Sequence, residues 1–245
     1  AGQHESFLNI RGEVQLLEAV QRCFASLFTD RAIKYREDHH FDHLQVALSV
    51  GIQKMVRSDL ASAGIAFTLE PESGFKDIIH ITGSWGLGEN IVQGAVNADE
   101  FYVFKPTFLK GKNGIIAKKL GSKAKTMVYA EKENHEPGRN IINIPTTTVL
   151  QGQFVLTDIE INKIAAWCLI IEQHYGKPMD IEWAKDGLTN ELFIVQARPE
   201  TTHGEKNAFH LHEYKLKEKG KIIVKGSAVG NKIASGIARI LSSPK

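Results

Sequence analysis

The sequence predicts an α+β fold, in which helices accompany a glycine-punctuated sheet. Three observations carry this prediction: helical spacing of apolar residues at 13–28, short β-branched runs from Val46 onward, and a strand pair near the end of the apolar region. The chain has 245 residues, of which 42% are hydrophobic and 24% charged. This composition is typical of a globular protein, and the length suffices for one large domain or for one domain and part of another.

The first predicted elements are two helices. Val14, Leu17 and Leu27 recur at close to helical spacing, which predicts a helix over 13–28 with its apolar side in the core. Thr29 is placed to cap a second, shorter helix that runs through Tyr35.

Strands of one sheet are predicted next, from four short apolar runs: "GIQKMV", "GIAFTL", "DIIHITGS" and "EFYVF". Farther along, Thr157 is followed three residues later by Glu160, the pattern of a capping box, and the predicted helix extends to about Tyr175. Two more strands, "MDIEWA" and "ELFIVQARP", flank a turn signal at Asp186 and Gly187, which predicts a hairpin.

Charge and hydropathy exclude several classes of function. A net charge of +2 gives no argument for nucleic acid, and six lysines in 110–125 favour a solvated strand and loop over a polyanion site. No apolar run approaches the roughly 20 residues of a membrane span. Cys23 and Cys168 lie in apolar helical patterns, which favours buried reduced thiols and a cytoplasmic protein. No methionine precedes Ala1, so we expect a fragment, a processed form or an expressed piece.

The predicted hairpin carries the main candidate site. Side chains two apart in a strand share a face, so Asp180 and Glu182 lie together, as do Gln196 and Arg198. Pairing of the strands would bring two carboxylates beside an amide oxygen and a guanidinium. Such oxygens suit Mg²⁺, and the guanidinium suits a phosphate oxygen. The alternative is a solvent-facing hairpin in which Arg198 only pairs with a neighbouring carboxylate.

Two further patterns have structural alternatives that we favour. The glycine loop at 83–94 can present backbone N–H groups to phosphate, but it matches no standard phosphate motif, so a tight structural turn is preferred. His39, His40 and His43 have spacings that can hold a metal on a helix. They lie in a polar, acidic stretch without a further ligand cluster, which favours a solvated loop.

Several blocks together resemble the phosphoenolpyruvate synthase (pyruvate, water dikinase) family over essentially the whole chain. These blocks are "AGQHESFLNIRG", "GIQKMVRSDLASAGIAFTLEPESGF", "GSWGLGENIVQGAVNADEFYVFKP", and "DIEWA" with "LFIVQARPET". The resemblance implies an ATP-grasp-like second subdomain, with a mostly antiparallel sheet and packed helices, at 1–203. It also implies a linker and the first strands of a swivelling phosphohistidine domain at 204–245, with the boundary near Gly204.

The resemblance also implies a set of ATP-binding residues. Gly2 and Ser6 match the phosphate-contacting loop of the family, and Gln53 matches a nucleotide-contacting position near the adenosine end. Glu182 and Gln196 match the pair that binds Mg²⁺, and Arg198 matches the arginine that holds the terminal phosphates. Asp180, in the same block, is implied without a definite role.

In the family, ATP, pyruvate and water are converted to AMP, phosphoenolpyruvate and phosphate through a phosphohistidine. The Cys-His-Ala motif of that histidine and the cationic residues of the first subdomain are absent from this sequence, so this chain should not complete the reaction by itself. The implied partners are ATP and, in the intact enzyme, pyruvate; the resemblance is compatible with a homodimer. The alternatives are pyruvate phosphate dikinase, rifampin phosphotransferase and a non-catalytic nucleotide-binding module.

Overall fold

A six-stranded sheet carries the candidate site. In a computed structural model, the chain is described at residues 4–130 and 140–200 and at positions 221 and 237. The strands in these ranges are β1 Ser62–Phe67, β2 Ile78–Trp85, β3 Asp99–Phe104, β4 Ile115–Lys119, β5 Lys125–Tyr129, β6 Ile141–Pro145, β7 Met179–Lys185 and β8 Leu192–Pro199. The helices are α1 Gly12–Ala25, α2 Asp30–Asp38, α3 Glu89–Val92, α4 Lys105–Phe108, α5 Thr148–Gln151 and α6 Asp158–Tyr175, with short 3-10 turns at Ser26–Phe28 and Ser58–Leu60.

The large sheet has the order β4-β3-β2-β1-β7-β8, and β5 and β6 form a separate pair. Each described pairing between neighbouring strands is antiparallel. The central strand β1 therefore lies between β2, which follows it closely in sequence, and β7, which comes more than a hundred residues later. This arrangement confirms the α+β class and the mostly antiparallel sheet.

Helix α6 covers one face of this sheet and forms the core with it. Ile161, Ile164 and Cys168 on the helix are fully buried, and they pack with Ile181 and Trp183 of β7. The predicted capping box begins the helix, because Thr157 and Glu160 bond to each other's backbone N–H groups. Gly176, in the left-handed conformation, ends it.

The opposite face of the sheet, here called the site face, carries the alternate residues of each strand. Asp180 and Glu182 point to the site face because their neighbours Ile181 and Trp183 point into the core. On β1, Ile65 pairs with Glu182 and Phe67 pairs with Asp180, so these positions lie on the same face. The strand prediction for the hairpin is therefore confirmed.

The helices near the start of the chain depart from prediction. Helix α1 was expected to face the core, but Val14 is 81% exposed and Leu17 is 58% exposed. The expectation was wrong because helical spacing defines an apolar stripe without saying what covers it. Thr29 does cap α2, accepting a hydrogen bond from the Ala32 N–H. The run "GIQKMV", predicted as a strand, forms no regular element.

One of the six lysines in 110–125 contradicts the expectation of a solvated segment. Lys123 is fully buried, and its ammonium group donates to Asp99 and to the carbonyl of Gly121. Asp99 also accepts from the backbone N–H groups of Gly121 and Val155. The pair joins β3 to the segment before β5, a link that the local charge pattern does not indicate.

Some predictions lie outside the described residues, among them the boundary near Gly204 and the strands expected at 204–245. Both cysteines are free thiols, with Cys168 buried and Cys23 partly exposed. In the described ranges, none of the helices is long and apolar enough to cross a membrane.

Candidate functional site

The four polar residues of the hairpin meet on the site face. Asp180 lies directly opposite Arg198, and Glu182 lies directly opposite Gln196. In adjacent antiparallel strands, such partners have Cβ atoms about 5 Å apart. The structure therefore confirms that two carboxylates, an amide and a guanidinium form one cluster.

A β-bulge sets this register. The pairing shifts after Glu182, so that Trp183 lies opposite Ile194 and Val195 has no direct partner on β7. Ile194 packs against the core cluster, whereas strict alternation had assigned the core side to Val195. The extra residue lets both Ile194 and Ala197 contact the core while Gln196 remains opposite Glu182.

Trp183 supports the cluster from behind. Its side chain is 1% exposed, and its indole Nε1–H donates to the carbonyl of Thr82 at 3.2 Å. Gly64 and Gly83 give the indole its space, since a Cβ at either position would come within 3 Å of the ring. The strand that carries Asp180 and Glu182 is thus held by close packing.

Asp180 and Arg198 form an ion pair. The Nε and Nη2 atoms of Arg198 lie 2.8 and 2.6 Å from Oδ2 of Asp180. The Asp180 side chain is 10% exposed, whereas that of Arg198 is 49% exposed. This is the pairing expected for a solvent-facing hairpin, but it also leaves a half-exposed guanidinium beside Glu182, as a phosphate site requires.

Glu182 lies in an unfavourable environment for a carboxylate. Burial raises the pKa of Glu182, and the negative charge of Asp180 raises it further, while Arg198 acts in the opposite direction. Glu89 adds a third negative charge that also raises this pKa. A cation bound at Glu182 would relieve this repulsion, which favours a metal-binding role for the carboxylate.

Sequence reasoning missed Glu89. It begins the short helix α3, directly after Gly88, whose added Cβ would lie 3.5 Å from the Ala63 side chain on the site face. The glycine loop therefore folds over the same face as the hairpin. Its acidic residue was visible in the sequence, but the proximity of residues 89 and 182 depends on the tertiary fold.

The glycine loop itself is accounted for by packing. Gly86 has a φ of +87°, and a Cβ there would lie 2.3 Å from the carbonyl oxygen of Met127. The N–H groups of Gly86 and Leu87 donate to the carbonyls of Ala61 and Met127, at 3.0 and 2.9 Å. These donors are used within the chain, which favours the structural turn over a phosphate cradle.

The remaining predicted ATP-binding residues are placed less centrally. Gln53 is exposed, and its Nε2 donates to the carbonyl of Val195 at 3.4 Å, next to Gln196. Ser6 is exposed ahead of α1, and no described contact joins it to the hairpin. Gly2 lies outside the described residues. The structure thus brings Glu182, Gln196 and Arg198 together, with Gln53 beside them.

The histidines near α2 have local partners. His43 Nδ1 accepts from Nε of Arg36 at 2.9 Å, and its Nε2 lies 2.7 Å from Glu37. His39 stacks on Tyr35 with ring centroids 4.1 Å apart. Within the described ranges, no group of three or more His, Cys, Asp or Glu residues is arranged to hold a metal ion. Residues 39–43 are exposed and follow the end of α2, as the preferred solvated loop predicts.

The candidate site is an open face. Two cavities of the described part lie elsewhere, one of about 300 Å³ beside Trp167 and Phe193 and one of about 420 Å³ beside Lys112 and Asn162. The hairpin remains the candidate site, because the first cavity is lined by apolar side chains and neither cavity contains the carboxylate cluster. A nucleotide on this face would require a second wall from elsewhere in the protein to enclose it.

Comparison with known proteins gives a consistent result. A family described as "Pyruvate phosphate dikinase, AMP/ATP-binding domain" matches residues 1–219. The chain is 51% identical over 252 residues to phosphoenolpyruvate synthase of Aquifex aeolicus, covering 98% of this chain and 29% of the relative. The identity is 50% with the phosphoenolpyruvate synthase of Pseudomonas aeruginosa, covering 99% of this chain and 30% of the relative. It is 49% with that of Escherichia coli, covering 98% and 30%.

This chain spans about 30% of the length of these relatives.

Proposed function

We propose, from the premise that this chain belongs to the pyruvate phosphate dikinase AMP/ATP-binding domain family, that its site face binds Mg-ATP for phosphoryl transfer. The observation that carries the proposal is the register of the hairpin, which sets Glu182 opposite Gln196 and Asp180 opposite Arg198. Carboxylate, amide and guanidinium are the groups that a metal-bound polyphosphate needs.

The residues fit a magnesium ion. Glu182 and Gln196 would each supply one oxygen, and Mg²⁺ commonly takes one or two protein ligands together with water and phosphate oxygens. The raised pKa of Glu182, caused first by burial and then by Asp180, supports this fit because a divalent cation would offset the unfavourable charge. When bound, the ion would neutralise phosphate charge.

The chain's own residues would position the nucleotide. The planar guanidinium of Arg198 would bind oxygens of the terminal phosphates, and Asp180 would fix the orientation of that guanidinium through the contact at 2.8 Å. Gln53, beside Val195, would contact the nucleotide near its adenosine end, and Gly2 and Ser6 would contact phosphate. Phosphoryl transfer depends mainly on such positioning and charge neutralisation.

We further propose that the chain forms the second subdomain of an ATP-grasp fold at 1–203, followed by the opening strands of a phosphohistidine domain at 204–245. The full-length protein would then convert ATP, pyruvate and water to AMP, phosphoenolpyruvate and phosphate. The names of the relatives support the synthase reaction over that of pyruvate phosphate dikinase or rifampin phosphotransferase.

The proposal is tested by substituting the metal pair. In the full-length protein, Glu182→Ala and Gln196→Ala should reduce pyruvate-dependent AMP formation by orders of magnitude, because both remove a proposed ligand. Glu191→Ala is a matched control, since Glu191 is an exposed residue at the turn end of the same hairpin. Near-normal AMP formation by both site variants would refute the assignment.

A further inference from the structure

A second polar cluster lies on the site face, two strands away from Asp180. Phe67 of β1 pairs with Asp180 on one side and with His80 of β2 on the other, and His80 pairs with Tyr102 of β3. Neighbouring strands are about 4.8 Å apart, so His80 lies about 10 Å from Asp180 along this row.

One oxygen organises this cluster. Oε2 of Glu100 accepts a hydrogen bond from the Tyr102 hydroxyl at 2.5 Å and another from Nζ of Lys119 at 3.1 Å. Nε2 of His80 lies 3.8 Å from the same oxygen. Lys119 also donates to the Tyr102 hydroxyl at 3.1 Å. Two donors thus already occupy the carboxylate oxygen that His80 faces.

His80 itself is the unsatisfied member. Both ring nitrogens are buried without a hydrogen-bond partner in the described part of the chain, and the side chain is 12% exposed. The ring stacks on Tyr102 with centroids 4.7 Å apart. A protonated imidazole would donate a charge-assisted hydrogen bond to Glu100, stronger than one from a neutral Nε2–H, and would add a cation–π contact with Tyr102.

The charged groups around His80 shift its pKa in opposite directions. Burial lowers the pKa of His80, and the positive charge of Lys119 on β4 lowers it further. Glu100 on β3 and Glu70, after β1, act to raise it, but the net direction is downward. His80 is therefore neutral at neutral pH and takes up a proton only below its ordinary range.

We propose that His80, Glu100 and Lys119 form a proton-linked switch on the site face. When the imidazole takes a proton from solvent, its Nε2–H donates to Oε2 of Glu100 and displaces the ammonium group of Lys119. Lys119 is able to leave because it lies on the edge strand β4 with 63% of its side chain exposed. In the protonated state, Glu100 pairs with His80 instead of Lys119, and the site face carries one more positive charge.

The regulatory consequence rests on the proposed function. An added positive charge about 10 Å from the phosphate-binding hairpin would strengthen binding of a polyphosphate relative to a protein in which residue 80 does not titrate. A unit charge at this distance, acting through a dielectric between that of a protein surface and that of water, corresponds to about a two- to tenfold gain in affinity.

The switch is tested by NMR titration of this chain. In the wild type, the His80 ring signals and the Lys119 side-chain signals should shift together at one pH below neutrality. Lys119→Met should raise the pH of the His80 transition by removing a positive charge, and Glu100→Gln should lower it by removing a negative one. Independent titration of the two residues, or shifts of the opposite sign, would overturn the proposal.

The binding consequence is tested separately. As the pH falls through the His80 transition, the ratio of the wild-type affinity for Mg-ATP to that of His80→Phe should rise about two- to tenfold. The variant retains the protonation of Glu182, which weakens the metal site equally in both proteins. His80→Gln, which keeps a polar side chain that does not titrate, controls for disturbed packing. An unchanged pH dependence in His80→Phe would overturn the regulatory role. Failure of the full-length wild type to bind Mg-ATP at any pH would overturn the proposed function, while the NMR titration would still support or overturn the switch.

Discussion

Replacing Arg198 by alanine should change the affinities for phosphate and for metal in opposite directions. The guanidinium would hold phosphate oxygens, but it also opposes the rise in the pKa of Glu182. Its removal eliminates the phosphate contacts and leaves Asp180 and Glu182 as an uncompensated pair of carboxylates. The first effect weakens ATP binding, whereas the second strengthens binding of a free divalent cation.

The magnitudes follow from these contacts. A hydrogen bond to a charged group contributes about 1.5–3 kcal/mol, so loss of a two-pronged phosphate contact corresponds to roughly 10²- to 10⁴-fold in Mg-ATP affinity. The gain for the free cation is smaller, about three- to tenfold, because half of the Arg198 side chain is exposed and solvent screens its charge.

Isothermal titration calorimetry measures both quantities, with Mg-ATP titrated into the full-length protein and Mn²⁺ titrated into this chain. Arg198→Lys is the matched variant: it keeps the charge but not the planar fork, so the affinity for Mg-ATP should fall and that for Mn²⁺ should stay nearly constant. Asp180→Asn should weaken Mn²⁺ binding because it removes a neighbouring negative charge. If Arg198→Ala lowered both affinities together while the thermal transition was unchanged, the electrostatic account would be refuted.

Three further predictions concern stability. The pKa of Glu182 is raised above its usual 4.5, so the folded state holds the Glu182 proton more tightly than the unfolded state does. Glu182 therefore lowers the stability of the folded state as the pH rises above 4.5. Glu182→Gln should melt at a higher temperature than the wild type, and the difference in melting temperature should widen from about pH 4.5 to about pH 7.5. Lys123→Met leaves the buried carboxylate of Asp99 without its cation and should lower the unfolding free energy in urea by about 3–5 kcal/mol, a loss that Asp99→Asn in the same chain should partly reverse. Gly64→Ala would place a Cβ 1.9 Å from a backbone oxygen and should abolish the cooperative thermal transition. Gly152→Ala, with contacts of 3.6 Å and an ordinary φ of −79°, should melt close to the wild type. Equal melting temperatures of the two variants would contradict the packing argument.

The hairpin was predictable because β7 alternates with period two, β8 is an apolar run that alternates only from Val195 onward, and a turn signal joins them. The bulge was not, since an extra residue in one strand changes no feature of local composition. The bulge is recognised only from the tertiary structure, in which Ile194 and Ala197 both contact the core and Gln196 lies opposite Glu182. Glu89 was missed for a related reason: its approach to Glu182 depends on the loop folding back over the sheet.

The other misses also arise from long-range contacts. Strands β5 and β6 pair with each other through mixed polar and apolar residues, without the alternation that marks a half-buried strand. Lys123 resembles its solvated neighbours in sequence, but its partner Asp99 lies 24 residues away. Helix α1 has the expected periodicity, yet the described residues do not cover its apolar stripe.

The position of β8 at the edge of the large sheet has a consequence for local stability. Gln196 and Arg198 are held in register by β7 alone, because the other side of β8 contacts no further strand of the described sheet. Edge elements of this kind open more readily than central ones, so the amide protons of 192–198 should exchange with solvent sooner than those of β1. A ligand that binds side chains of both β7 and β8 would stabilise their pairing and slow that exchange.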